Sequence, residues 1–190
     1  MRRFLICGRT GVGKSSYINA AFGIPLARTS AFEACTTTVE YYTNHTLWGD
    51  ICIIDTPGLA EEDDVCDDKH MTLIKNKVKM DSIFALLYVS KLNETRFYPD
   101  EKRTLRVLTK HLGASVWDNA WLILTFAASV PCEHRNQAVW KKAENIEEHL
   151  RSLTNYRFNN QGVFKKIFMV DNVVFNWCTD GIPIASSLAS

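Results

Sequence analysis

The stretch Gly8-Arg9-Thr10-Gly11-Val12-Gly13-Lys14-Ser15 constrains this chain more than any other. It has the form G-x-x-x-x-G-K-[S/T], a loop that wraps phosphate between a buried strand and a helix start. The flanks supply both: Phe4-Leu5-Ile6-Cys7 is a short apolar run, and Ser16 to Phe22 is compatible with a helix. Glycines let the main chain approach a ligand closely, and backbone N–H groups at the helix start attract phosphate oxygens. Arg9, Thr10, Gly11, Val12, Gly13, Lys14, Ser15 and Ser16 are therefore the expected phosphate-binding residues. Lys14 neutralises the β and γ phosphates, and the hydroxyl of Ser15 ligates Mg2+.

The rest of the composition suits one ordinary domain: 190 residues, 46% hydrophobic and 23% charged. The net charge of +1 supplies no broad basic field, so nucleic acid is not expected as a partner. None of the six cysteines forms a C-x-x-C pair, which reads as free thiols in a reducing compartment. Cys66 and His70 are spaced like a pair of metal ligands, yet no second pair completes a site. Met1-Arg2-Arg3 leads straight into the first strand, and no apolar run approaches the ~20 residues that span a bilayer. A soluble, cytoplasmic chain is the expectation, with a place at a membrane surface through parts outside this sequence as the alternative.

Downstream, Thr36-Thr37-Thr38 follows a loop running from Gly23 to Cys35. Switch proteins carry a Mg2+-ligating threonine in this region, and Thr36 or Thr37 is favoured for it. Val39 to Trp48 reads as an edge strand, and Ile51-Cys52-Ile53-Ile54 as a buried one ending at Asp55-Thr56-Pro57-Gly58-Leu59. In this D-x-x-G pattern Asp55 holds Mg2+ and the N–H of Gly58 meets the γ phosphate. Ala60 to Asp68 is acidic and reads as a mobile second switch, with a helix over Lys69 to Met80 behind it. Further segments are a buried strand at Ile83 to Val89, a helix capped by Asp100 and stopped by Gly113, a strand at Trp121 to Thr125, and an amphipathic helix at Trp140 to Leu153. Ile167 to Val170 and Ile182 to Ala185 read as final strands. Strands alternating with helices imply an α/β fold, a mainly parallel sheet covered on both faces, with ligand at the carboxyl ends of the strands. The P-loop, Asp55 and Thr125 all fall at such ends.

From Gly8 to Leu153 the chain resembles the septin-like GTPases of the immunity-associated and chloroplast outer-envelope import receptor type, the AIG-type G domains. The resemblance rests on Gly-Arg-Thr-Gly-Val-Gly-Lys-Ser-Ser, on Ile-Asp-Thr-Pro-Gly-Leu, on Leu86-Leu87-Tyr88-Val89, and on Trp117 through Ala127. It implies a three-layer P-loop NTPase G domain that binds GTP or GDP with Mg2+. It also implies slow hydrolysis and pairing of two G domains, as homodimer or heterodimer, across their nucleotides.

Three departures qualify it. Where most GTPases use N-K-x-D to read guanine, this chain has Thr125-Phe126-Ala127-Ala128, and Ala128 cannot accept the base's hydrogen bonds. Phe126 either stacks on the base or packs in the core. Leu59 stands where Ras-type proteins orient the attacking water with glutamine. Slow hydrolysis follows, or a catalytic group brought by a partner, for which Arg96 is the candidate. Finally, the chain stops at Ser190 with no room for the last G-domain helix, so a single domain over 1–190, truncated at its end, is expected. Lys14, Gly58 and Arg96 are the catalytic candidates of a slow GTPase. The rival reading, motivated by Leu59 and Ala128, is a nucleotide-dependent assembly scaffold with negligible turnover or a binder of relaxed base specificity.

Overall fold

The structure, a computed structural model, describes residues 1–29, 37–46, 49–60, 64–94, 96–155, 157–158 and 162–171. Six strands form one sheet in the order β2-β3-β1-β4-β5-β6. They are β1 (Arg2–Gly8), β2 (Glu40–Thr46), β3 (Gly49–Asp55), β4 (Ala85–Lys91), β5 (Ala120–Thr125) and β6 (Phe164–Met169). β2 is antiparallel to β3, and every other neighbouring pair is parallel. The expected edge strand is thus β2, and its neighbour β3 carries Asp55 at its carboxyl end. The expected strand at 182–185 lies outside the described residues.

Side chains of successive strand residues point to opposite faces, so the buried runs feed two cores at once. Leu5, Cys7, Cys52, Ile54, Leu86, Tyr88, Leu122 and Leu124 face one way. Phe4, Ile6, Ile53, Leu87, Val89 and Ile123 face the other. The helix α1 (Lys14–Phe22) seals the second face through Ile18 and Phe22. The first is covered by α2 (Asp64–Lys77), α3 (Pro99–Leu112) and α4 (Cys132–Leu153). Met71 and Ile74 of α2, Leu105 and Leu108 of α3, and Ala143, Ile146 and Leu150 of α4 are their contributions to it. This is the three-layer arrangement the alternating pattern implies. The connection from β1 runs to one side of the sheet and that from β4 to the other. Their adjacent carboxyl ends therefore open the crevice where α/β sheets bind ligands.

Several element boundaries move, α4 starting at Cys132 instead of Trp140 and β4 at Ala85 instead of Ile83, and two further changes have a visible cause. The helix after the D-x-x-G turn begins at Asp64 instead of Lys69, because Asp64, Asp67 and Asp68 find cationic partners on α3. Its acidic start also suits the positive end of the helix dipole. The cap of α3 is not Asp100. Tyr98 precedes the helix with extended backbone and no side-chain cap, and Pro99 opens it where a missing N–H is harmless. Gly113 does end α3, at φ 82, with its N–H on the Thr109 carbonyl at 3.0 Å.

One buried ion pair ties three elements together. Lys142 of α4 lies 2.6 Å from Glu101 of α3, with side chains 2% and 1% exposed. Ser90 of β4 donates to the same carboxylate, and the lysine also donates to the Glu94 carbonyl at 3.3 Å. Removing one partner leaves the other charge buried, which costs about 3–5 kcal/mol. We expect Lys142→Ala to lower the thermal midpoint by roughly 10 °C for a chain of this size. The paired change Lys142→Met with Glu101→Leu should recover most of the loss, read by calorimetry.

Candidate functional site

β1 hands the chain to the P-loop at Gly8, and α1 starts at Lys14 with Gly13 as its N-cap at φ 90. Gly11 is also left-handed, at φ 71. These are the conformations that turn successive N–H groups into one concavity, and glycine adopts them without steric penalty. The Lys14 side chain is 7% exposed and lies back across the loop, donating to the Arg9 carbonyl at 2.9 Å and to the Gly8 carbonyl at 3.3 Å. Ser16 is half-buried in the first turn of α1.

Asp55 is 1% exposed and accepts a hydrogen bond from the Ser15 hydroxyl at 2.8 Å. Its other oxygen accepts from the Thr56 N–H at 3.0 Å. Hydroxyl and carboxylate oxygens are the hard donors Mg2+ takes, and Mg2+ fills its other positions with water and phosphate. The pair fits that ion. Among the described residues, no cluster of three His, Cys, Asp or Glu side chains forms a self-sufficient metal cage.

The two phosphate-facing segments are stitched together. The Leu59 N–H donates to the Gly8 carbonyl and the Thr10 N–H to the Leu59 carbonyl, each at 3.2 Å. Thr56 donates its hydroxyl to the Ile6 carbonyl at 2.7 Å. Gly58 packs so closely that a Cβ there would stand 2.0 Å from Thr10 Oγ1 and 2.6 Å from Thr10 Cα. Behind the loop the Cys7 thiol is pushed up to about 12, chiefly by burial, so it stays protonated and inert. Among the described residues, Cys7, Cys52 and Cys132 carry free thiols. Cys66 Sγ lies 3.9 Å from His70 Nε2.

Thr125 is fully buried, and its hydroxyl donates to the Val12 carbonyl at 2.7 Å. It thus braces the P-loop from beneath. Among the described residues, Phe126 joins neither core cluster; it is half-buried at φ 57, with the Lys91 ammonium 5.3 Å from its ring centre. That leaves an aromatic face at the carboxyl end of β5, beside the exposed Ala128. Arg9 and Lys91 both pair with Glu94, the latter at 3.6 Å. Arg96, two residues on, is exposed. Thr37 is exposed too, whereas Thr36 lies outside the described residues.

Sequence reasoning overlooked Glu94, Asp67 and His70. Glu94 meets Arg9 across 85 positions, a pairing with no local signal. Asp67 reads as part of a solvated acidic run, yet it is 2% exposed and holds the Ala60 N–H at 2.8 Å. Its spacing of three from both Asp64 and His70 on one helical stretch is the signal that was there to use. The close approach of Gly58 makes a direct prediction. Gly58→Ala must push the turn away from the Thr10 backbone, costing about 1–3 kcal/mol by overpacking. Its unfolding midpoint should fall, and a Thr10→Ser change should not rescue it because the clash with the Thr10 main chain persists.

Comparison with known proteins agrees with this geometry. Over 127 residues, 66% of this chain and 28% of the relative, it is 38% identical to GTP-binding protein A of Dictyostelium discoideum. It is 36% identical over 129 residues to translocase of chloroplast 159 of Arabidopsis thaliana, covering 67% of this chain and 9% of that one. The chain therefore spans well under two thirds of these relatives' length. Its backbone superposes on Arabidopsis thaliana Toc33 in complex with Mg2+ and GMPPNP with a TM-score of 0.76 at 26% identity, covering 90% of this chain and 70% of that one. The sequence profile of the AIG1 family matches residues 2–165, so with the P-loop, the Asp55 turn and this fold in place, the chain belongs to the AIG1 family.

Proposed function

We propose that the protein is a guanine-nucleotide switch that binds GTP or GDP with Mg2+, hydrolyses GTP slowly and pairs with a second G domain across the nucleotide face. The observation that carries this reading is the Ser15 hydroxyl held 2.8 Å from the buried Asp55 carboxylate at the mouth of the P-loop. On this reading the N–H groups of residues 9 to 16 cradle the phosphates, and Lys14 swings from the Arg9 carbonyl to the β and γ oxygens. Ser15, Asp55 and the switch threonine, Thr36 or Thr37, hold Mg2+. The ion supplies charge neutralisation on the phosphate oxygens. The Gly58 N–H faces the γ phosphate. Phe126 offers its ring to the base, and Thr125 fixes the loop's depth. Solved relatives support the reading: Toc33 structures hold GMPPNP or GDP with Mg2+, and another is described by the importance of dimerisation for GTPase activity of chloroplast translocon components.

Leu59 is 1% exposed and part of the core, so the residue after Gly58 presents nothing to an attacking water. Intrinsic turnover is therefore slow, and Arg96 on an exposed loop is the group placed to act on a partner's nucleotide. The same buried leucine favours the second reading, a nucleotide-dependent scaffold with negligible hydrolysis. A place in the cytoplasm, at a membrane surface, is proposed from relatives named as chloroplast translocases. No helix among the described residues is long and apolar enough to cross a membrane.

Competition against fluorescent GDP with Mg2+ present tests the binding. GDP and GTP should displace it far better than ATP, and Lys14→Ala should abolish binding; equal competition by ATP means Ala128 has relaxed the base site. Single-turnover hydrolysis across protein concentrations tests the pairing. The rate should rise with concentration and lose that rise in Arg96→Ala, whereas no phosphate release at any concentration selects the scaffold.

A further inference from the structure

We propose that Asp67, with His70, positions the Gly58–Ala60 turn for the γ phosphate, a role that rests on the nucleotide-switch reading above. Both are positioning residues: they act through the backbone of the turn.

A glycine at the phosphate contact has no side chain to fix its own backbone, so its neighbours must do so. α2 grips the turn at both ends. The Asp67 Oδ1 accepts the Ala60 N–H at 2.8 Å. Three residues on, His70 Nδ1 lies 3.1 Å from the Gly58 carbonyl oxygen. A carbonyl only accepts, so this nitrogen carries the proton and donates. The histidine thereby sets the plane of the 58–59 peptide, adjoining the 57–58 peptide whose N–H faces phosphate. Between these grips the Leu59 backbone is bridged to the P-loop.

The grip is itself held firmly. Asp67 Oδ2 lies 2.7 Å from the Arg103 guanidinium of α3, whose Nε is 2.9 Å from Asp64. Lys110 and His111 of α3 pair with Asp68 at 3.3 Å and 2.7 Å. Ala60 sits at φ 58, a left-handed backbone that alanine adopts only at a cost of roughly 1–2 kcal/mol. The buried carboxylate under its N–H offsets that cost. A spacing of three puts Asp67 and His70 on one face of the helix, the face turned to the turn.

The test uses the full chain with fluorescent GDP and a non-hydrolysable GTP analogue, in the presence of Mg2+. In Asp67→Ala the analogue affinity should fall about tenfold while GDP affinity stays within about twofold, since only the analogue uses the Gly58 contact. Amide exchange at Ala60 should quicken in Asp67→Ala. His70→Ala should weaken the analogue selectively as well, and carries the test if Asp67→Ala does not fold. An unchanged ratio of the two affinities in the Asp67→Ala and His70→Ala variants overturns the proposal, as does equal loss of both nucleotides. A wild-type chain that binds neither nucleotide sinks the switch reading itself. Normal wild-type binding with an unmoved ratio sinks only the role of Asp67 and His70.

Discussion

The whole site depends on how closely the P-loop and the turn after β3 can be brought together. Only a glycine at position 58 allows the Thr10 backbone so near, and the gain is a pair of backbone hydrogen bonds between Leu59 and residues 8 and 10. Thr56 on Ile6 of β1 and Thr125 on Val12 of the P-loop then brace the strand and the loop from the ends of β3 and β5. Two backbones held in register this way place a lysine, a hydroxyl and a buried carboxylate at one mouth. The loop backbone and the Ser15–Asp55 contact are set ahead of any ligand, and on the proposed reading only the Lys14 side chain has to turn outward.

Charge outside the mouth is arranged with the same economy. Glu94 receives Arg9 from the P-loop and Lys91 from β4, while Lys142 donates to its carbonyl from α4. The loop bearing Arg96 is therefore tied to the P-loop at one side and to a buried ion pair at the other. Half-buried pairs of this kind are screened less by salt than surface pairs are. The loop's position is accordingly set by the nucleotide-facing segment itself.

The sheet, its order of burial and the central site were legible because strand-length apolar runs and fixed motif spacings are local signals. The strand, loop and helix start around Lys14 and the D-x-x-G turn after β3 fall where the spacing put them. What escaped was non-local. The acidic run after Ala60 looked solvated because its partners, Arg103, Lys110 and His111, lie about 40 residues away on α3. Composition gives such charges to solvent; only the packing of α2 on α3 turns Asp67 into a buried ligand of a backbone amide. Asp100 failed as a cap because the helix already starts at Pro99, which puts Asp100 inside the first turn. Phe126 was undecided between core and base; the structure shows it half-buried with the Lys91 ammonium beside its ring, and its role toward a base stays part of the proposal.

Leu59 joins structure to the proposed chemistry. Its backbone bridges the P-loop and its side chain, 1% exposed, fills the core above α2. A glutamine able to orient water would bring an amide into that apolar position, at a cost of about 1–3 kcal/mol if left unpaired. The residue best placed in sequence to serve hydrolysis is thus committed to holding the site together. On the proposed reading, a group that speeds turnover has then to come from outside this core, and Arg96 is the candidate we put forward for it. On that reading, low intrinsic rate and dependence on a partner would both trace to one packing decision at a single residue.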